Sequence, residues 1–219
     1  MTIEKAVQNF IETKMSKFLN PKDCFIYNEF SLQHELGIHL REVLGDSYKI
    51  QFERNILDIS EQYLKNKSAI SLCKKEMDIY IRHGNDHYAI ELKFPLKEQS
   101  AKEVRLYSFI EDIYFMKQVK NLGFNQTFVF TLVNDPGYYT KSDAKGKEVY
   151  KIFRQPTVSI GKNEIKKINK DIKKHNEECK NDRNKYKLFP SLATTQTFNW
   201  QTIPGLEKTV YRCYFHSIE

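Results

Sequence analysis

The sequence predicts an α/β protein folded as one domain, and three observations predict it. The 219-residue chain is long enough for one large domain and cramped for two. Residues 76–94, EMDIYIRHGNDHYAIELKF, hold two β-rich runs around His-Gly-Asn-Asp, a strong hairpin signal. Residues 99–122 carry Leu106, Phe109, Ile110, Ile113, Met116 and Val119 at helical spacing, and the apolar run QTFVFTLV at 126–133 follows as a buried strand.

Taken in order, residues 3–19 read as an amphipathic helix and 29–44, EFSLQHELGIHLREVL, as a second that ends at Gly45. Residues 48–56 alternate well enough to be a strand, and 57–74 form a polar connection. The hairpin, the long helix stopped by Gly123 and the buried strand come next, the strand closed by Asn-Asp-Pro-Gly at 134–137. Past Gly137, residues 138–148 read as a mobile loop and 161–187 as a lysine-rich helix with a thin stripe of Ile165, Ile168 and Ile172. Residues 195–203 and 209–218 are expected as strands that return to the sheet. No linker interrupts the chain, so residues 1–219 are expected as a single domain, with a core over 25–135 and a C-terminal elaboration over 138–219.

Composition narrows the function classes. With 40% hydrophobic, 29% charged and 13% aromatic residues, the chain is neither disordered nor of low complexity. A net charge of +7 favours polyanionic partners. Cys24, Cys73, Cys179 and Cys213 form no CxxC pair and have no histidine at ligand spacing, which predicts reduced thiols, a cytoplasmic address and no zinc site. The first residues are charged every few positions, and no run of about 18 apolar residues occurs, so neither export nor a membrane span is expected.

The hairpin carries the chemistry. With Gly84 and Asn85 as loop residues, His83 pairs with Asp86, and counting back sets Asp78 opposite Glu91 on one face. Two carboxylates with Cβ atoms about 5 Å apart repel unless something positive lies between them, and a divalent cation would fit. Lys93, two residues beyond Glu91, shares that face. Asp, Glu and Lys supply what metal-dependent phosphodiester hydrolysis needs: oxygen ligands for Mg²⁺ and an ammonium for the attacking water and the developing charge. The backbone carbonyl of Leu92 is a further candidate ligand. On the 29–44 helix, Leu32, Leu36, Leu40 and Val43 share a face on which Glu29 also falls, whereas Glu35 and Glu42 lie about 110° or more away.

Each feature also has a plainer reading. A hairpin with one solvated face carries alternating charges, and a glutamate at a helix start favours the helix dipole. Glu53 could approach the metal in place of Glu29, but fits better as a solvent-facing residue. His34, His39, His83 and His87 have no ligand spacing, and His83 and His87 flank a turn where exposed histidines are ordinary. Between 161 and 187 there are ten basic residues against five acidic ones. Lys166, Lys170, Lys173 and Lys174 could therefore track phosphates or simply face water. Tyr138, Tyr139 and Tyr150 could stack on bases, though core-edge packing suits them better.

The joint pattern of an acidic helix, a strand, D78-IYI, a tight turn, AI-E91-L-K93, a long helix and an apolar strand resembles the PD-(D/E)XK phosphodiesterase superfamily over about residues 25–135. The stretches NEFSLQHEL, YKIQFERNI, IEDIYFM and FVFTLVND also resemble a bacterial group of such proteins with no settled function. The resemblance implies a restriction-endonuclease-like fold, a mixed central sheet flanked by helices with an αβββαβ core, here with a C-terminal helix and strands added. It implies Asp78 and Glu91 as metal-binding acids, Lys93 as the catalytic lysine and Glu29 as the acid of the first core helix. Met77 stands where the superfamily name has Pro, a position that tolerates many residues.

The expected activity is Mg²⁺- or Mn²⁺-dependent hydrolysis of DNA leaving 5′-phosphate and 3′-hydroxyl ends, in restriction, defence or repair. DNA is the expected partner, a homodimer is an admissible assembly and no membrane is involved. The alternative is a non-catalytic nucleic-acid-binding or partner-binding protein of the same fold.

Overall fold

The computed structural model describes residues 1–20, 22, 25–63, 72–96, 102–140, 147–179, 183 and 185–219, with backbone alone over 60–63. The N-terminal helix divides at Lys14 into α1 (Ile3–Thr13) and the single turn α2 (Met15–Phe18). Next comes α3 (Glu29–Leu44), whose start is set by a capping box: the Asn28 carboxamide accepts from Ser31 N–H, and Ser31 Oγ accepts from Asn28 N–H. Glu29 is thereby held as the first residue of the helix.

Strand β1 (Tyr48–Asn55) leads into α4 (Ile56–Tyr63), so the segment 57–74 opens with a helix where a polar connection is predicted. Ile56 and Ile59, three residues apart and both buried, give that helix its packing face. The hairpin is β2 (Glu76–His83) and β3 (Asp86–Lys93), and Gly84 takes the positive φ of 59° that its tight loop demands. Helix α5 (Lys102–Asn121) crosses to β4 (Gln126–Val133), which lies parallel to β3.

In the C-terminal third, α6 (Glu148–Phe153), β5 (Thr157–Ile160), α7 (Lys162–Glu178), β6 (Gln196–Asn199), β7 (Gln201–Thr202) and β8 (Arg212–Ser217) follow in turn. Only β7 and β8 return to the central sheet, whose order is β1-β2-β3-β4-β8-β7. All its neighbours are antiparallel except β3 and β4, which makes it a mixed sheet. The expectation that both late runs rejoin the sheet is corrected for β6, which pairs with β5 in a separate ribbon. The lysine-rich helix stops at Glu178, short of the predicted 187. Asn176 and Asn169 on α7 each offer a carboxamide to the returning backbone, bonding the N–H and C=O of Tyr186 and Phe189 respectively. Residues 185–189 thus run along α7 outside any helix.

The two sheet faces bury different partners. One packs Ile79, Ile81, Ile90 and Leu92 against Phe10, Leu32, Leu36 and Leu40 of α1 and α3. The other packs Tyr80, Ala89 and Val129 against α5, α6 and α7. Close approach of α3 to β1 requires Gly37, because a Cβ there would collide with the Phe52 ring.

Several side chains sit differently from the sequence-based expectation. His87 is buried, not exposed at the turn, and pairs with Tyr80 Oη at 2.7 Å. Tyr138, by contrast, packs in the core as its favoured reading expects, in a 3₁₀ turn over Pro136–Tyr138 where a mobile loop is predicted to begin. Most of the predicted mobile loop, 141–146, lies outside the described residues, as does Cys24. Cys73, Cys179 and Cys213 are free thiols, and the expectation that no histidine stands at ligand spacing is corrected for His175, one helical turn before Cys179, whose Nε2 lies 3.3 Å from that sulfur. No described helix is long and apolar enough to cross a membrane.

Candidate active site

The β2–β3 ladder runs from His83 opposite Asp86 to Ile79 opposite Ile90 and stops there, one residue short of Asp78 on β2 and of Glu91 on β3. Beyond Ile79 a side chain takes over the bonding: Asp78 Oδ2 accepts the N–H of Leu92 at 2.5 Å. In a strand the N–H and C=O of one residue point to the same edge, so the Leu92 carbonyl also faces the Asp78 side. On the other side of Asp78, its own carbonyl accepts from the Gln33 carboxamide at 2.7 Å, and the same Nε2 donates to Glu53 at 2.6 Å. Glu53 itself is exposed, at a strained φ of 50°.

Glu91 is 3% exposed. Its Oε1 accepts from the ammonium of Lys74, which also donates to Asp112 Oδ1 on α5. Its Oε2 has no hydrogen-bond partner among the described residues. Lys93 Nζ lies 3.2 Å from Glu29 Oε1 and 3.7 Å from Asp112 Oδ2. Glu29 Oε2 accepts the N–H of Phe94 at 3.0 Å, so this glutamate clamps both the Lys93 ammonium and the backbone at the end of β3.

The structure therefore brings Glu29, Asp78, Glu91 and Lys93 together and adds two residues that sequence reasoning missed. Asp112 was legible: it lies three residues after Phe109 and four before Met116, on the inward face of the long helix. Lys74, in the irregular stretch before β2, has no periodic signal.

Formally, four carboxylates surround two ammonium groups in a mostly buried setting. Burial pushes the Asp78 carboxyl up to about 7, helped by the negative charges of Glu29 and Asp112 and opposed by the Leu92 N–H and Lys93. Burial, then Asp78 and Asp112, hold Glu91 well above the ordinary carboxylate range, although Lys74 works against them. For both lysines burial disfavours the charge, but the carboxylates led by Asp112 outweigh it and hold the pKa above its usual value. Two carboxylates that resist ionisation, one of them with an orphaned oxygen, describe a site short of positive charge.

No group of three or more His, Cys, Asp or Glu among the described residues is already arranged to hold a metal ion. Lys74 keeps Glu91 and Asp112 paired to itself. The donor set nevertheless fits a hard divalent cation, which takes oxygen ligands: Asp78, the free Oε2 of Glu91 and the Leu92 carbonyl.

The basic helix is less uniform than its composition. Lys162, Lys166, Lys170 and Lys173 line one groove of about 600 Å³ between α7 and residues 188–191. Lys174 is separated from them and lines a cleft with Glu103, Glu148, Asp171 and Glu178 and with Lys147 and Lys151.

No protein-family model and no curated protein matches the chain.

Proposed function

We propose that the protein is a divalent-metal-dependent nuclease that hydrolyses DNA phosphodiester bonds, built on the restriction-endonuclease-like version of its α/β fold. The observation that carries the reading is Glu91 Oε2, buried and unpartnered in a cluster with two more carboxylates than ammonium groups. Asp78, Glu91 and the Leu92 carbonyl would hold Mg²⁺ or Mn²⁺. The cation, when bound, supplies Lewis-acid stabilisation to the attacked phosphate. Lys93, kept protonated by Asp112 and Glu29, orients the attacking water and faces the charge that builds on phosphorus. Glu29 sets the Lys93 position through its two bonds at the end of β3. The products are a 5′-phosphate and a 3′-hydroxyl, and the settings are DNA restriction, defence or repair.

Lys74 favours a second reading. An ammonium wedged between Glu91 and Asp112 is what a protein that keeps the scaffold without turnover would use to neutralise the acids. That protein would bind nucleic acid or a partner and cleave nothing.

Incubation with supercoiled, linear and single-stranded DNA in Mg²⁺, Mn²⁺ or EDTA separates the two. The nuclease reading expects metal-dependent cleavage that EDTA stops and that Lys93→Ala loses. DNA left intact under every metal condition rejects it in favour of the binder.

A further inference from the structure

Beside Glu29 the surface opens into a cavity of about 270 Å³, lined by Glu29, Phe30, Lys93, Phe94, Leu96 and Arg105 among others. Phe30 stands at this cavity, and further exposed aromatic residues precede it in the chain. Phe30, the residue after Glu29, is 67% exposed, and Tyr27, two before it, is 60% exposed. Phe25 is exposed too, but its ring rests on Phe18 with centroids 5.4 Å apart. Tyr27 and Phe30 make no ring contact with another described side chain.

Exposing two aromatic rings within four residues costs solubility and gains nothing for the core. Phe30 lines the cavity with Lys93 and Arg105, whose charges suit an anion, at the edge of the carboxylate cluster, and Tyr27 lies three residues before it in the chain. Such a mouth suits a ligand with both a negatively charged backbone and flat apolar faces. In a duplex those faces are hidden in the stack, so a ring on the protein reaches them only when the base is unpaired.

We propose that this cavity receives an unpaired nucleotide and that the substrate is single-stranded DNA, with Phe30 and Tyr27 stacking on bases next to the scissile phosphate. The inference rests on the nuclease reading for its position but not for its binding chemistry. Arg105, which lines the cavity with Lys93, contacts the phosphate, and the sugar-phosphate path runs past the start of α3, whose Glu29 lines it too.

The test uses the whole protein, wild type and Tyr27→Ala/Phe30→Ala, with a 2-aminopurine-labelled single strand and the matching duplex. Both rings are exposed, so the variant should melt at the wild-type temperature. In EDTA the wild type should quench 2-aminopurine on binding the single strand, and the variant should bind it about tenfold or more weakly. With Mn²⁺ the wild type should cut the single strand at least about tenfold faster than the duplex. Equal affinity of variant and wild type for the single strand overturns the proposal, as does tighter binding or faster cleavage of the duplex, and cleavage of the duplex would leave the nuclease reading standing. Ring-dependent binding of the single strand with no cleavage of any DNA supports the cavity and rejects the nuclease reading.

Discussion

Lys74 bonds one carboxylate oxygen of Glu91 and leaves the other, Oε2, buried without a partner among the described residues. The lysine approaches from the irregular stretch before β2, and Glu91 is held from the middle of the sheet on β3. Their pairing, extended to Asp112, ties the hairpin that carries the acids to helix α5, alongside the Lys93–Asp112 pair.

Removing that link should be expensive. Lys74→Met strips Glu91 and Asp112 of their shared cation while both stay buried, a change that typically costs about 3–5 kcal/mol. Urea unfolding in EDTA measures the loss. Because the variant also leaves the acids with greater need of a cation, Mn²⁺ should restore a larger part of its stability than it adds to the wild type. A cost below about 1 kcal/mol would mean that the pair is no more than an exposed surface interaction.

His39 gives a pH dependence of known sign. It is 3% exposed; its Nε2–H donates to the Ala6 carbonyl at 3.2 Å, and Nδ1 has no partner among the described residues. Burial lowers its pKa, with Lys14 adding to the effect and the Ala6 carbonyl and Glu42 opposing it. The unfolded chain therefore takes up this proton first, at about 6.5. The contribution to stability is complete above that pH and is lost as pH falls from there through the folded-state pKa. Asp78, raised to about 7, acts with the opposite sign in wild type and variant alike, so the comparison with His39→Gln isolates the histidine. Between pH 7.5 and 5 the variant should lose less stability than the wild type in chemical denaturation, and equal losses would show that His39 titrates normally.

Much of this arrangement is legible in the amino-acid sequence, and for identifiable reasons. Gly84 and Asn85 set the hairpin loop, and a period of two then carries the register back to Asp78 and Glu91. Glu29 is legible because α3 is regular enough to project. What escapes has no period to read. Lys74 lies in irregular chain, and β5 has only four residues. The early end of α7 depends on Asn169 and Asn176 binding backbone further along the chain. His87 reads as a turn residue in one dimension, but tertiary packing turns it inward to Tyr80. Asp112 is an omission of another kind, since an acid among Phe109, Ile113 and Met116 on a predicted inner face should be weighed as a member of the site.

The groove on α7 separates lysines that composition alone groups together. Neutralising Lys166, Lys170 and Lys173 together should weaken binding to DNA of every sequence and reduce the slope of log affinity against log salt by about 0.7–0.9 for each phosphate no longer neutralised. Lys174→Gln, in a cleft shared with four acidic residues and two other lysines, should change that slope little. A salt titration of affinity reads both, and equal effects from the groove and the cleft would argue for a diffuse surface charge.

The central claim is that the cluster of Asp78, Glu91 and Lys93 is a divalent-cation site, and thermal unfolding of wild type and Asp78→Asn with and without Mn²⁺ tests it most directly. Without metal, Asp78→Asn should melt higher than the wild type, because it removes one buried charge of the excess and keeps an oxygen for the Leu92 N–H. With Mn²⁺ at about 100 times the dissociation constant, the wild type should gain about 2.7 kcal/mol and the variant much less. Equal Mn²⁺ shifts in the two proteins, or none in the wild type, would contradict the account.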